Sequence, residues 1–359
     1  MIIDVIAGAR PNFMKIAALY AVAQEFPALQ LRFIHTGQHY DFKMSDAIIQ
    51  QLRLPEPDCH LGVGSGSHAQ QTADIMKGYE KWVDEQHPDA CLVVGDVNST
   101  VACALVAAKA VVPVAHVEAG LRSFDRTMPE EINRILTDSL SQWMFVTEAS
   151  GIANLAREGR PLSGIHLVGH VMIDTLLRML PAARPPADEP LQEGAYAFVT
   201  LHRPSNVDDP AILATLVEQL VKVAEHMPVF FPVHPRTRAR LQAAQLWDRL
   251  AAHVRLTEPV TYTESLWLTK NARVVITDSG GLQEESTVLN VPCLTLRENT
   301  ERPVTVSAGT STLIGRDWAL FQRCIEQIVT GSYKRTLGQV PYWDGNAGRR
   351  IMAILSQSA

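Results

Sequence analysis

No two of the five cysteines (Cys59, Cys91, Cys103, Cys293, Cys324) form a Cys-x-x-Cys pair, and most of them sit in apolar runs. That leaves no paired-thiolate motif, and buried free thiols in a reducing cytosol are the default reading. Long hydrophobic runs are also missing. The longest, Val101 to Ala115, is interrupted by Lys109 and Pro113 and is too short to span a bilayer. No basic region precedes the opening run Met1-Ile2-Ile3-Asp4-Val5-Ile6-Ala7, so a strand rather than a signal peptide is expected there, in a cytoplasmic protein that does not engage membranes. Neither sign of charge dominates: the net charge is −6 and the pI about 6.1, against an extended nucleic-acid surface. No Gly-x-Gly-x-x-Gly follows the first strand, and neither a Walker A nor a His-Glu-x-x-His motif occurs. Nicotinamide, P-loop and zincin chemistry therefore have no foothold, and neither cofactor nor metal is expected. Low-complexity tracts and short-period repeats are absent as well.

What is present is a chain of 359 residues, 47% hydrophobic and 19% charged, ordinary for a soluble protein of two domains. Short β-like runs alternate with helical patterns throughout. Strands are expected at Ile2–Ile6, Leu31–His35, Ala90–Gly95, Val112–Val117, Met144–Thr147 and Ile165–Val168. In the second half they are expected at Ala197–Leu201, Val229–Val233, Val254–Leu256, Val274–Thr277 and Pro292–Leu296. Helical segments such as Phe13–Glu25, Ala69–Glu85, Glu130–Ser141, Thr237–Leu246 and Leu282–Leu289 separate them. This alternation predicts an α/β protein of two doubly wound, Rossmann-like domains with parallel sheets. The Pro-rich stretch 181–190 reads as a loop or linker, with the crossover near Gly169. The expected domains are 1–168 and 169–341, followed by an amphipathic tail helix in 342–359.

Ligands of open α/β sheets bind beyond the carboxyl ends of the strands. The residues there in the first half are Gly8-Ala9-Arg10-Pro11 with Lys15 a turn later, Asp96, and Glu118 with Gly120 and Arg122. In the second half they are His202-Arg203, His234-Pro235-Arg236 and Asp278-Ser279-Gly280-Gly281. If the two domains face each other, acids and cations converge on one interdomain cleft. Gly280-Gly281 after the run Arg273–Thr277 would let the backbone turn tightly and approach a ligand, and the following helix offers an anion-binding N-terminus. Glu285, one turn in, suits ribose hydroxyls, and Arg302 lies in the charged loop after the next strand. An ordinary strand-to-helix turn would carry Gly-Gly too, but not this Ser, Glu and Arg setting.

Each of these residues also has a structural alternative. Asp96 suits helix capping as well as chemistry. Glu130 and Glu131 follow Pro129 at a helix start, where one of them suits the dipole. Glu118 ends an apolar strand, where a buried carboxylate needs partners. His202 and His234, each with an Arg within two residues, look like phosphate contacts. His116, Glu118 and Asp96 offer three metal donors, but without a metal-site spacing.

These motifs together resemble the non-hydrolysing UDP-N-acetylglucosamine 2-epimerases of bacteria. The resemblance is carried by Gly8–Lys15, His35–His39, Gly95–Thr100, His116–Arg122, Pro129–Arg134, Asp278–Gly281 and Thr300–Pro303, and extends to Gly309 and again near Tyr342–Gly345. It implies a glycosyltransferase-B-like architecture with a deep cleft and a terminal helix returning to the first domain. It also implies interconversion of UDP-GlcNAc and UDP-ManNAc through elimination of UDP to a 2-acetamidoglucal, for surface polysaccharide synthesis. On the matching positions, Asp96, Glu118 and Glu130 become acid–base residues and His202 assists at the diphosphate. Arg10, Lys15, Arg203, His234, Ser279, Gly280, Gly281, Glu285 and Arg302 become UDP-sugar ligands, and a homodimer is expected.

The chain departs from that pattern in places. Asn12 stands where many relatives have Glu, and Ala18 where many have Pro. The Arg122–Pro129 loop is short, and Gln38-His39-Tyr40-Asp41 replaces a Gln-His-Arg-Gln-type segment that holds an activating second substrate. Gln38 and Gln70 remain the candidates for such a site. Relatives acting on sugars altered at C3, C4 or C6 leave the exact sugar open. A glycosyltransferase of the same architecture and a non-catalytic sugar-nucleotide sensor are the rival readings, and neither accounts for the first-domain carboxylates.

Overall fold

The computed structural model describes residues 1–37, 49–187, 189–334 and 340–358, without the side chain of Arg10. The expected Gln38 and the segment it opens lie outside these residues.

Two parallel sheets form. The first contains β1 (Ile2–Ala7), β2 (Gln30–His35), β3 (Cys59–His60), β4 (Ala90–Val94), β5 (Val114–Ala119), β6 (Trp143–Val146) and β7 (Ile165–Leu167), in spatial order β3-β2-β1-β4-β5-β6-β7. The second contains β8 (Ala197–Thr200), β9 (Val229–Pro232), β10 (Arg255–Thr257), β11 (Val274–Thr277), β12 (Cys293–Thr295) and β13 (Ser311–Leu313), in order β10-β9-β8-β11-β12-β13. Central strands β4 and β11 are buried at every residue, which is why they read as unbroken apolar runs. Each sheet reverses its strand order once, at β1/β4 and at β8/β11. A crevice opens at such a switch point, beyond the carboxyl ends.

Every expected strand is present, the largest shift being Val114–Ala119 against Val112–Val117. Two were not anticipated, β3 and β13, both short sheet edges. Neither has a hydrophobic run long enough to signal itself. The expected helix Phe13–Glu25 is a helix at Arg10–Tyr20 followed by a 3₁₀ turn at Ala23–Glu25.

Proline sets where many helices begin. Pro11, Pro129, Pro204, Pro210, Pro235 and Pro303 each occupy the first turn of one. Proline costs nothing there, because its missing N–H has no helical partner anyway. It also drives the preceding residue into extended backbone. Arg203 (φ −71°, ψ 136°) and His234 (φ −60°, ψ 142°) are such residues, held as N-caps at the strand ends.

The chain divides into two compact units, 1–177 with 341–359, and 178–340. The first break comes later than the expected 168/169 because the helix Val171–Met179 is anchored to the first unit. Thr175 Oγ1 donates to the Met14 carbonyl at 2.7 Å, and Asp174 Oδ2 accepts from Gly348 N at 2.7 Å. The helix Ala347–Ser356 packs on Arg10–Tyr20, and a Cβ on Gly348 would meet the Ala18 carbonyl oxygen at 2.6 Å, so only glycine permits the crossing.

Separate cores hold each unit. Ile6, Ile34, Ile75, Tyr79, Val93 and Val106 form one in the first. Val199, Leu216, Phe231, Ile276, Phe321 and Ile325 belong to that of the second. Fully burying each aliphatic side chain contributes about 1.5–3 kcal/mol. Among the described residues no helix is long and apolar enough to cross a membrane.

Candidate active site

At the carboxyl edge of the first sheet, Glu118 sits where the β5–β6 register slips between Val117 and Ala119. Its φ is +75°, left-handed backbone that a non-glycine residue adopts at a cost of about 1–3 kcal/mol. Such a bulge re-aims a side chain, and here it aims a carboxylate. Glu118 is 3% exposed, and Lys15 Nζ lies 2.6 Å from its Oε2. Lys15 reaches it across Gly95 (φ +68°), where a Cβ would lie 2.5 Å from Nζ. The other oxygen, Oε1, is 3.7 Å from His170 Nδ1. Asn12 latches the loop: its Oδ1 accepts from Gly8 N and Ala9 N, and its Nδ2 donates to the Val94 carbonyl.

Asp96 is not a helix cap. The cap of the helix Asn98–Lys109 is Val97, and Asp96 Oδ2 instead pairs with Arg134 Nη1 at 2.5 Å. Arg134 is itself buried and pairs through Nη2 with Glu131 Oε2 at 2.7 Å. Glu131 also accepts from Ser123 N, Ser123 Oγ and Phe124 N. Burial alone would raise its carboxyl, but Ser123, Arg134 and Phe124 together hold it below the ordinary range. The neighbouring Glu130 is exposed in the first turn of the helix Pro129–Leu140. The two adjacent acids thus divide into a buried tie and an exposed group.

Both ring nitrogens of His116 are engaged within the protein. Its Nδ1 lies 2.6 Å from Asp138 Oδ1 and its Nε2 2.8 Å from the Gly95 carbonyl oxygen, with the ring fully buried. Asp138 also accepts from Gly120 N and pairs with Arg122. Against burial, which would raise it, His116 and Arg122 hold Asp138 below the usual carboxylate range. This network locks the strand ends that carry Asp96 and Glu118.

In the second unit the organiser is Asp278, directly after β11 and completely buried. It accepts from His202 N, Arg203 N and Asn206 Nδ2, and His202 Nδ1 lies 3.0 Å from its Oδ1. Burial pushes its carboxyl up, but the His202, Arg203 and Asn206 contacts prevail and lower it. The imidazole of His202 is consequently fixed while remaining half-exposed. His234, exposed and 5.9 Å from the His202 ring centre, caps its own helix by accepting Arg236 N at Nδ1.

Gly280 and Gly281 are the first two residues of the helix Gly280–Val288, without the positive φ that the expected tight turn would need. The open space is at Gly281, where a Cβ would meet nothing within 4 Å, whereas a Cβ on Gly280 would lie 3.2 Å from Glu301 Oε1. The N-cap Ser279 does not cap with its side chain, so the first-turn N–H groups stay available to an anion. Around them, Arg302 pairs with Glu284, and Arg297 Nη2 lies 2.8 Å from Glu301 Oε2. Despite burial, Arg297 and Arg302 hold the Glu301 carboxyl down at about 2. Glu285, buried beside Tyr262 OH at 3.3 Å, goes the other way: burial pushes its carboxyl up to about 7. Gln70, expected at an effector site, is exposed and donates to Asp74 Oδ2 at 2.7 Å.

Asp278, Asn206, Arg134, Glu131 and Glu284 were not read as site residues. Asp278 gave a signal as the strand-end acid ahead of Ser279-Gly280-Gly281, and Glu131 and Arg134 lie in the Pro129–Arg134 motif and pair within one helical turn. Asn206 and Glu284 gave none, because their partners Asp278 and Arg302 are distant in sequence.

A family model described as UDP-N-acetylglucosamine 2-epimerase matches residues 22–356. The chain belongs to that family of isomerases. This epimerase is 39% identical over 366 residues to the UDP-N-acetylglucosamine 2-epimerase of Methanocaldococcus jannaschii, covering 99% of each chain. It is also 39% identical over 358 residues to the UDP-2,3-diacetamido-2,3-dideoxy-D-glucuronate 2-epimerase of Pseudomonas aeruginosa, covering 98% of each. The crystal structure of the M. jannaschii enzyme in complex with UDP-GlcNAc and UDP aligns at a TM-score of 0.88 and 38% identity, covering 99% of this chain and 100% of that one. The two parallel-sheet domains of this epimerase are of the glycosyltransferase-B-like class.

Proposed function

We propose that this epimerase interconverts UDP-GlcNAc and UDP-ManNAc by eliminating and re-adding UDP. The observation that carries the reading is Glu118, a strained, buried carboxylate between Lys15 and His170 in a chain that also bears an open glycine helix start. In the elimination a carboxylate takes the C2 proton, the C2–H electrons become the C1=C2 double bond of a 2-acetamidoglucal, and the C1–O electrons leave with UDP. Re-addition delivers a proton to the opposite face of C2 and returns UDP to C1. Two faces require two acid–base groups, and Asp96, Glu118 and Glu130 are the candidates.

The C2 proton is weakly acidic, so departure of UDP must be assisted. In the second unit the first-turn N–H groups at Gly280 and Gly281, Arg302 and the His202 imidazole favour the growing negative charge. Arg203 and His234, presented at strand ends by the prolines that follow them, supply further contacts. Arg10, Lys15 and Ser279 complete the proposed ligand set, and Glu285 accepts from the ribose. Supply of ManNAc-type sugars to surface polysaccharide is the proposed role, with a homodimer as the proposed assembly.

Turnover of UDP-GlcNAc in D2O, followed by NMR, tests the proposal. Inversion at C2 with deuterium incorporated there is the expected result. Inversion with the original hydrogen retained would overturn the proton-exchange mechanism. An unchanged UDP-GlcNAc alongside turnover of UDP-2,3-diacetamido-2,3-dideoxy-D-glucuronate would overturn the substrate.

A further inference from the structure

Gln283 lies three residues after Gly280 in the helix Gly280–Val288, completely buried, and the proposed chemistry leaves it without a role. Its side-chain amide reaches in two directions. Nε2 donates to the Ser279 carbonyl at 3.3 Å, at the start of its own helix, and Oε1 accepts from Thr300 Oγ1 at 3.0 Å, in the loop after β12. Thr300 Oγ1 accepts in turn from Arg302 N at 3.0 Å. On the other side of Arg302, its carbonyl accepts from Thr305 N at 3.0 Å and from Thr305 Oγ1 at 2.8 Å. The Arg302 side chain pairs with Glu284, the residue after Gln283. Adjacent positions of the glycine-led helix therefore hold Arg302 twice. Gln283 holds its main chain by way of Thr300, and Glu284 holds its guanidinium.

The donor count explains why an amide stands at 283. The Thr300 hydroxyl has one hydrogen, which goes to Gln283, and its oxygen is left to accept from Arg302 N. The amide has an acceptor for Thr300 and a donor for Ser279. A carboxylate would lack the donor, and an apolar side chain would lack both. A loop residue that must first be ordered to meet an anion loses affinity in the ordering, whereas one fixed in advance does not.

Resting on the proposed UDP site, we propose that Gln283 and Thr300 are positioning residues that set Arg302 in register with the first-turn N–H groups at Gly280 and Gly281, so that one diphosphate meets both. They act through Arg302 and not on the nucleotide.

The test measures UDP affinity by calorimetry. Thr300→Val keeps the side-chain shape and removes the hydroxyl, and Thr300→Ser restores it. Affinity should fall about tenfold in Thr300→Val and stay within about twofold of wild type in Thr300→Ser. Gln283→Met removes both amide contacts and should show a similar loss, and the double variant should lose no more than either single one, because both break the same chain of bonds. Additive losses overturn the proposal, as does wild-type affinity in both single variants. The decisive comparison is made in Arg302→Gln, which removes the cation and keeps a donor for Glu284. There Thr300→Val should cost UDP nothing further. A tenfold loss that persists in that background overturns the proposal, since Thr300 would then touch the nucleotide or support the fold in general. Thermal melts establish that each variant is folded. Wild-type UDP affinity in Arg302→Gln would sink the proposed diphosphate site, and this inference with it. A loss there without one in Thr300→Val and Gln283→Met sinks this inference alone.

Discussion

The two strand-end edges of this molecule use the same charges in opposite order. In the first unit the carboxylates stand in front and cations hold them: Lys15 on Glu118, Arg134 on Asp96. In the second unit the cationic and donor groups stand in front and carboxylates hold them: Asp278 on His202, Glu284 on Arg302, Glu301 on Arg297. The difference suits the roles proposed for the two edges, a base at the first and an anion site at the second. A base needs a defined orientation and a tuned proton affinity, which a cation at its back provides. An anion site needs N–H groups and cations fixed in advance, which buried acids provide without occupying the site. Both arrangements keep the charges paired inside the protein, where an unpaired charge is costly.

The largest expected effect separates the edges outright. Glu118→Gln should lower turnover by about a hundredfold or more while leaving UDP affinity within about twofold, and Asp96→Asn should behave likewise. NMR turnover assays with UDP calorimetry check this. Loss of UDP binding in either variant would mean that the first edge holds the nucleotide, and the division of labour would be gone.

A smaller, opposite effect is expected at the second edge. Gly281→Ala adds a Cβ into open space at the start of a helix, so thermal stability should hold or rise slightly. The same methyl group would occupy the space an anion needs, and UDP affinity should fall about tenfold. Differential scanning fluorimetry and calorimetry on one preparation read both. Wild-type affinity would remove the diphosphate from this helix start.

A third effect concerns pH and distinguishes two acids of the second unit. The Glu285 carboxyl titrates near 7 in the folded protein, against 4.5 as its ordinary value. Between those values the folded state keeps a proton that the unfolded chain has released, so stability falls as pH rises through that window and is level above it. The loss is on the order of 3 kcal/mol. Glu285→Gln should flatten the dependence, seen as urea midpoints at pH 5 and pH 7.5 that differ less than in the wild type. Glu301 has the reverse sign: its depressed carboxyl contributes stability above the ordinary 4.5 that is lost as pH falls toward about 2. A Glu285→Gln variant with the wild-type slope would assign that slope elsewhere.

Much of this was legible in the chain because strand-end positions follow directly from apolar runs. Asp96, Glu118, His202, His234 and Asp278 could be placed at carboxyl edges by counting from β4, β5, β8, β9 and β11. The short edges β3 (Cys-His) and β13 (Ser-Thr-Leu) were illegible because they are short and largely polar, whereas the equally short edges β7 and β10 adjoin the apolar Val168 and Val254. Asp4, buried mid-strand and bonded by Arg32, Tyr79 and Trp82, was equally silent, because its partners are scattered in sequence.

The sequence by itself determined the periodicity, the two parallel sheets, the proline-led helix starts and the family, because each depends on neighbours along the chain. Which residue answers which was decided only by tertiary structure. Glu130 and Glu131 both lie about one helical turn from Arg134, yet folding buries Glu131 against Ser123 and Phe124 as well and leaves Glu130 exposed. Nothing local shows that Asp96 pairs with Arg134 rather than capping a helix. The left-handed backbone at Glu118 comes from a register slip against β6, and His170 meets Glu118 because the helix Val171–Met179 is anchored beside β5's end. Proton affinity and orientation depend on distances of a few ångströms between residues far apart in sequence, and packing alone sets those distances.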